Sequence, residues 1–289
     1  MDIISIDKKD FGDFLSPLLE IPEPPEIIYF RGKIPEKAGV KTLAVVGSRR
    51  HSMYGKEVCE RLVHELRGLP IIIVSGLALG IDSVAHEAAL KSGITTVAVP
   101  GSGLLDKVLY PSIHKPLARH ILDAGGTLIS EFEPDTEAAP WTFPKRNRIM
   151  AGLADAVLII EAEEKSGTQI TARLALDFNR DVFSVPGNIT SPNSSGTNRL
   201  IKLGATPILS PEDLLSELGF EKKEQGKSFD PAQFSEKEQS VLAHLREPLH
   251  KDELISLIGM PAAEALTIIT ALEIRGIIKE EFGMMRILL

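Results

Sequence analysis

The sequence predicts an α/β protein with a doubly wound, mainly parallel sheet, followed by a small carboxyl-terminal winged-helix domain. Three observations predict it. From residue 42 to about 218, short β-branched runs alternate with helix-length segments, the order that builds a parallel sheet through right-handed crossovers. Most of these runs are nearly continuous in apolar residues, as strands covered on both faces require. From residue 235 the rhythm changes to three closely spaced helices and a hairpin, the content of a winged helix.

Taken in order, residues 1–41 precede the repeat, and their proline cluster, IPEPPEIIYFRG, predicts an extended arm packed on the main domain. The strands of residues 42–218 are TLAVVG, IIIVSG, TTVAVPG, GTLISE, AVLIIEA, DVFSVPG and TPILS. Between them GKEVCERLVHELRG, IDSVAHEAALKSG and SGTQITARLALDFN have helical length and pattern. Residues 219–234, GFEKKEQGKSFDPAQF, are polar and poor in aliphatics, so they read as a linker. In residues 235–289, Ser235 stands three positions before Glu238, a capping-box spacing. HKDELISLIG and MPAAEALTIITALEIRG follow as helices, the second with proline near its start. IIKEEFGMMRILL reads as two strands around Gly283.

Composition excludes several function classes. None of the apolar runs in the 289 residues approaches the length of a membrane span, about 20 residues. The first residues, MDIISIDKKDFGDF, are broken by charges, unlike a signal peptide. A single cysteine, Cys59, excludes an internal disulfide framework and a cysteine-based zinc site. A cytoplasmic protein with no membrane partner is the expectation. The net charge of −8 argues mildly against a polyanion partner, but binding answers to local fields rather than to the sum.

The local charge lies on one rim. In a parallel sheet the carboxyl ends of the strands share an edge, where ligands bind. Here those ends read GSRR (47–50), SGLALGID (75–82), PGSGL (100–104), EAEEKSGT (161–168) and PGNITSPNSSGTN (186–198). Glycines let backbone amides approach an anion, and a helix amino terminus adds unpaired N–H groups. Gly76, Gly80 and Gly167 are candidates for the first role; the helix starting near Ser166 supplies the second. Arg49, Arg50, Lys145, Arg146, Arg148, Lys165, Arg199 and Lys202 fall on the same rim, Arg199 directly after Asn198. Residues 141–210 hold eight Lys/Arg against six Asp/Glu, a basic region inside an acidic chain. Tyr54, Tyr110, Trp141 and Phe143 are near it. Cations interleaved with rings suit a single-stranded nucleic acid, whose phosphates pair and whose bases stack. The competing reading pairs Lys145, Arg146 and Arg148 with the carboxylates of EAEE, Glu161 to Glu164.

Catalytic constellations are missing. GSRRHSMYG is not a dinucleotide fingerprint, and no phosphate-binding loop with its lysine occurs. HEAAL falls one histidine short of a zincin helix, so no metal site is expected; Asp82 and His86 read as structural, and Cys59 as packing. The third helix of the last domain carries no Lys or Arg, which disfavours groove reading by it.

Five segments, VGSRRHSMYG, SGLALGIDSVAHEAAL, FPKRNRIMAGLADAVLIIEA, KSGTQITARLAL and VFSVPGNITSPNSSGTNRLI, closely resemble the DprA/Smf family of bacterial DNA-processing proteins over residues 25–210. The resemblance implies an extended Rossmann-like core that binds single-stranded DNA and loads the recombinase RecA onto it. It also implies a role in recombination and natural transformation without catalysis, and a carboxyl-terminal winged helix. Carried over residue by residue, Gly47, Ser48 and Arg49 form the family's pocket turn, and Phe143, Pro144, Lys145, Arg146 and Asn147 line the same pocket. Single-stranded DNA, RecA and a second copy of the chain are the expected partners, with no cofactor. Many members carry an amino-terminal helical domain; residues 1–41 are too short for it, so functions tied to that domain are not expected. The alternative is a nucleotide phosphoribohydrolase of the lysine-decarboxylase-like type. There Gly167 and Thr168 match the motif, but Thr171 stands where the catalytic glutamate belongs.

Overall fold

The chain begins with two strands that its proline-rich lead-in conceals. In the computed structural model, which describes residues 2–220, 234–245, 249–281 and 283–287, β1 (Ile4–Asp7) and β2 (Ile27–Gly32) pair antiparallel. β2 in turn pairs antiparallel with β6 (Thr127–Ser130), Phe30 opposite Ile129. The expected arm is thus an edge of the sheet. Ile28 and Phe30 alternate inward while Ile27 stays 39% exposed, a one-sided period-2 pattern too short to stand out beside four nearby prolines.

The seven expected strands form: β3 (Lys41–Val46), β4 (Ile71–Ser75), β5 (Thr96–Ala98), β6, β7 (Ala156–Ile159), β8 (Asp181–Ser184) and β9 (Thr206–Pro207). They run parallel in a nine-stranded sheet ordered β1-β2-β6-β5-β4-β3-β7-β8-β9. Helices α1 (Met53–Glu65), α2 (Ile81–Lys91), α3 (Lys115–Asp123), α4 (Thr142–Leu153), α5 (Gly167–Asp177) and α6 (Pro192–Lys202) connect them, and α7 (Pro211–Glu217) follows β9.

Strand alternation divides the core between the two faces. Leu43, Val45, Ile71, Ile73 and Leu158 pack with Cys59 and Leu62 of α1, Ala85 of α2 and Leu214 of α7. Ala44, Val46, Val74, Val157 and Ile159 pack with Ile149 and Leu153 of α4 and Ala172 of α5. Each such aliphatic side chain contributes about 1.5–3 kcal/mol on burial, which is why both faces must be covered and why the runs are continuously apolar. Cys59 belongs to this packing, and burial pushes its thiol pKa up.

The chain winds outward from β3 through β6, then returns by α4 to place β7 on the other side of β3. The connections after β3 and β7 therefore diverge, leaving a crevice above their carboxyl ends. That crevice is the site described below.

Residues 1–221 and 222–289 are two compact units. In the second, α8 (Glu236–His244), α9 (Lys251–Ile258) and α10 (Ala262–Ile274) pack around Val241, Leu254, Ile269 and Leu272. A three-stranded sheet completes the unit, with β10 (Leu249–His250), β11 (Ile278–Glu281) and β12 (Met284–Ile287) in the order β10-β12-β11. The capping box of Ser235 and Glu238 forms as its spacing requires. β10, two residues long, has no sequence signal. Of the expected linker 219–234, residues 221–233 lie outside the described residues; Phe220 packs on the core of the first unit. Among the described residues no single helix is long and apolar enough to cross a membrane.

Candidate nucleic-acid interface

Three loop ends meet above β3, and close backbone contact holds them. A Cβ on Gly47 would lie 2.6 Å from the Ile81 side chain. Gly80 has φ +85°, and a Cβ there would lie 2.7 Å from Arg49 Cα and strike Ser48 O. Only glycine tolerates both that dihedral and that approach. Ile81 N–H donates to Ser48 O at 3.1 Å, and Thr168 Oγ1 donates to Gly47 O at 3.2 Å. Downstream, Ser52 caps α1 by accepting from Gly55 N–H at 3.1 Å. Its own N–H and hydroxyl donate to buried Glu161 at 2.8 and 2.6 Å. Segment 47–52 is fixed at both ends, and Arg49 and Arg50 project from it into solvent. The Arg49 guanidinium lies 4.8 Å over the Phe143 ring, and Tyr110 meets that ring edge-on at 5.8 Å.

The cluster 145–148 is where the sequence expectation changes. These residues lie within α4, where successive side chains are about 100° apart, so four in a row cannot share one face. Lys145 is exposed, its Nζ 5.5 Å over the Trp141 ring. Arg146 is buried, 4% exposed. It donates to the carbonyls of Gly76 and Val99, the ends of β4 and β5, the latter at 2.6 Å. Asn147 is also buried; its Oδ1 accepts from Arg146 Nε at 3.1 Å, and its Nδ2 faces Gly167 O at 3.4 Å. Arg148 pairs with Glu131 and donates to Glu23 O at 2.7 Å. Arg146 and Arg148 are thus struts rather than free phosphate ligands; only Lys145 of the three cations faces outward.

Asp82 belongs to the same scaffold. It accepts from Gly76 N–H at 3.1 Å, and a Cβ on Gly76 would strike both Asp82 and Arg146. Burial pushes the Asp82 carboxyl pKa up, against the opposing charge of Arg146. Burial likewise pushes the Arg146 guanidinium down to about 10, with Asp82 opposing, so it keeps its proton at neutral pH. His86, fully buried beside Thr96 Oγ1 at 2.8 Å, is pushed down to about 3 by burial.

The opposite wall is the start of α5. Ser166 precedes it with a buried hydroxyl that has no partner among the described residues. Gly167 is exposed, with open space where a Cβ would sit, and Lys165 is exposed beside it. Farther along the rim, Asn198 is engaged by both the N–H and the carbonyl of Gly187, at 3.2 and 3.0 Å. Arg199 pairs with Glu164, and Arg50 approaches Glu163 at 3.9 Å.

Between the walls is an open cleft of about 470 Å³. It brings together Gly47, Ser48, Arg49, Arg50, Phe143, Arg146 and Asn147 with Ser166 and Gly167. Gly76 lies in a smaller adjoining pocket with Leu79 and Tyr110. Lys145, Arg148, Lys165, Asn198, Arg199 and Gly80 do not line the cleft. Thr168 and Thr171 do, and the sequence reading passed over them as lining residues; their places on the first turns of α5 were the available signal. The competing reading, which paired Lys145, Arg146 and Arg148 with the EAEE segment, does not hold: Lys145 lies over Trp141, Arg146 bonds backbone carbonyls and Arg148 pairs with Glu131, while Glu163 and Glu164 face Arg50 and Arg199 instead.

Comparison with known proteins gives consistent results. The family model described as DNA recombination-mediator protein A matches residues 2–219, and a DprA winged helix domain matches residues 225–284. Protein Smf of Escherichia coli is 39% identical over 242 residues, 81% of this chain and 64% of that protein; this chain therefore spans just under two thirds of that relative. The DNA processing protein DprA of Streptococcus pneumoniae is 39% identical over 203 residues, 70% of each chain. The X-ray structure of that DprA superposes with a TM-score of 0.69 at 37% identity, covering 75% of each chain. The DNA processing protein A of Helicobacter pylori, whose structure concerns its single-stranded DNA binding mode, has a TM-score of 0.66 at 28% identity. It covers 75% of this chain and 96% of that one.

Proposed function

This chain belongs to the DNA recombination-mediator protein A family, the DprA/Smf proteins, and on that premise we propose that its cleft binds single-stranded DNA for delivery to a recombinase. The observation that carries the reading is Arg49, exposed and stacked on Phe143, facing the amino terminus of α5 across one cleft. Arg49, Arg50, Lys145 and Lys165 pair with phosphates. Backbone N–H groups of Ser48, in the turn after β3, and of Gly167, at the start of α5, donate to phosphate oxygens. The ring surfaces of Phe143, Tyr110 and Trp141 take bases; Tyr110 and Trp141 are 45% and 54% exposed.

Binding rather than catalysis fits the ionisable groups of the cleft floor. Asp82 and Arg146 are consumed by backbone hydrogen bonds, and Thr171, a cleft residue, offers a hydroxyl where the hydrolase alternative needs a carboxylate. RecA, a second copy of the chain and a cytoplasmic setting complete the proposal, on the strength of the family relationship. The test is a gel shift with a short oligothymidine. The double variant Arg49→Ala/Lys145→Ala loses binding while its melting curve stays at the wild-type position; wild-type affinity in that variant would overturn the reading.

A further inference from the structure

The loop that joins β7 to α5 is unusually well fastened for an exposed rim. Ala162 N–H donates to Asn193 O and Gly196 N–H to Ala162 O, both at 2.8 Å. Glu164 N–H donates to Ser195 Oγ at 3.2 Å. Gly196 admits the loop so closely that a Cβ there would lie 2.7 Å from the carbonyls of Ala162 and Glu163. This rigid loop carries two adjacent carboxylates into the row of rim cations. Glu163 faces Arg50 at 3.9 Å and Glu164 pairs with Arg199. Arg50 and Glu163 come from loops after different strands, while Arg199 lies on α6 and Glu164 on the loop before α5. Asn193 Nδ2 donates to Arg50 O at 2.9 Å, so Arg50 and the start of α6 are joined independently of the ion pairs.

We propose that Glu163 and Glu164 are internal stand-ins for phosphate. In the free protein they occupy the anion positions of Arg50 and Arg199, and a bound strand displaces them. This inference rests on the DNA-binding reading above. Its chemistry is competition. Each carboxylate holds its cation in place but subtracts from the field that a phosphate meets. A polymer whose linked phosphates arrive together replaces both carboxylates, whereas a single small anion replaces only one. The carboxylates therefore set affinity and ionic selectivity, not the fold.

The test uses the full chain with a short oligothymidine, followed by fluorescence anisotropy across a salt series. Glu163→Gln/Glu164→Gln should bind about two- to thirtyfold more tightly, the range for two exposed ion pairs. Its log–log salt slope should steepen by about 0.7 for each cation released to a phosphate. Glu65→Gln/Glu217→Gln removes the same charge from exposed positions at the carboxyl-terminal ends of α1 and α7, away from the rim, and should leave affinity and slope as in wild type. Equal gains in both double variants, or no gain at the rim, overturn the stand-in role. If the wild type binds no oligonucleotide, or Arg49→Ala binds as well as wild type, the DNA-binding reading itself falls and the stand-in role with it. Melting curves of all variants confirm that the loop fastenings persist.

Discussion

Arg49 and Arg146 carry the same charge, line the same cleft and do opposite work. Arg49 is exposed, with its guanidinium on a ring face, so truncating it removes a ligand contact and little else. Arg49→Ala should cost about 1–3 kcal/mol of oligonucleotide binding, the range for a charge-assisted contact or a stacking platform, with unfolding unchanged within about 0.5 kcal/mol. Arg146 is buried against two backbone carbonyls and the Asp82 charge. Arg146→Ala leaves those groups uncompensated and should destabilise by about 3–5 kcal/mol; a denaturant midpoint like that of wild type would contradict the strut role. His86 supplies the acid limit. Its folded pKa, lowered to about 3 from the usual 6.5, means the unfolded chain binds a proton in that window and the native state does not. Stability is therefore lost as pH falls from about 6.5 toward 3, by up to about 1.4 kcal/mol per pH unit. Urea titrations over that range should show the loss, and His86→Gln should flatten it. A wild-type imidazole that titrates near 6.5 by NMR would remove the cause.

At the scale of elements, the turn after β3 is shaped by the turn after β4. Gly80 combines a left-handed φ with backbone contact on Ser48 and Arg49. Gly80→Ala should destabilise by about 1–3 kcal/mol and weaken oligonucleotide binding as well, because relief of the clash moves Arg49. Stability loss with unchanged affinity would separate the two turns. The strands were legible because continuous apolar runs between glycine-rich ends leave few alternatives, and the Ser235 capping box was legible from spacing alone. The α4 cluster was misjudged for a definable reason. A rim position says where a helix starts, whereas helical rotation decides which residue faces the core, and the start of α4 is fixed by Thr142 Oγ1 donating to Gly101 O at 2.6 Å. That contact joins positions 41 apart in the chain and has no local signal. α10 raises no such difficulty. Lacking Lys and Arg, it is not expected to grip DNA, and a chain ending at residue 221 should retain the oligonucleotide affinity of the full protein in anisotropy titrations. Its loss on truncation would transfer the binding role to the second unit.

For the whole molecule, a net charge of −8 surrounds a local basic rim. Long-range repulsion and short-range attraction then compete, and salt weakens both. Three exposed cations held in no ion pair among the described residues, Arg49, Lys145 and Lys165, each neutralising one phosphate of a single strand, predict a log–log salt slope of about −2 for the wild type. A slope near zero would mean that stacking, not phosphate pairing, holds the strand. The lead-in of residues 1–41 packs on the main domain as expected of an arm, but as strands of its sheet. β1 and β2 have their reason for existing in β6, about a hundred residues away, whose outer edge they cover.

By itself the sequence determined the alternation of strands and helices, the rim on which the glycine turns and cations gather, and the absence of a nucleotide-hydrolysing motif. Each of these is a property of local spacing. Only the tertiary structure decided which cations are free. A guanidinium is a ligand or a strut according to the carbonyls and carboxylates packed around it. For Arg146, Arg148, Arg50 and Arg199 those partners come from distant segments, which no local pattern encodes.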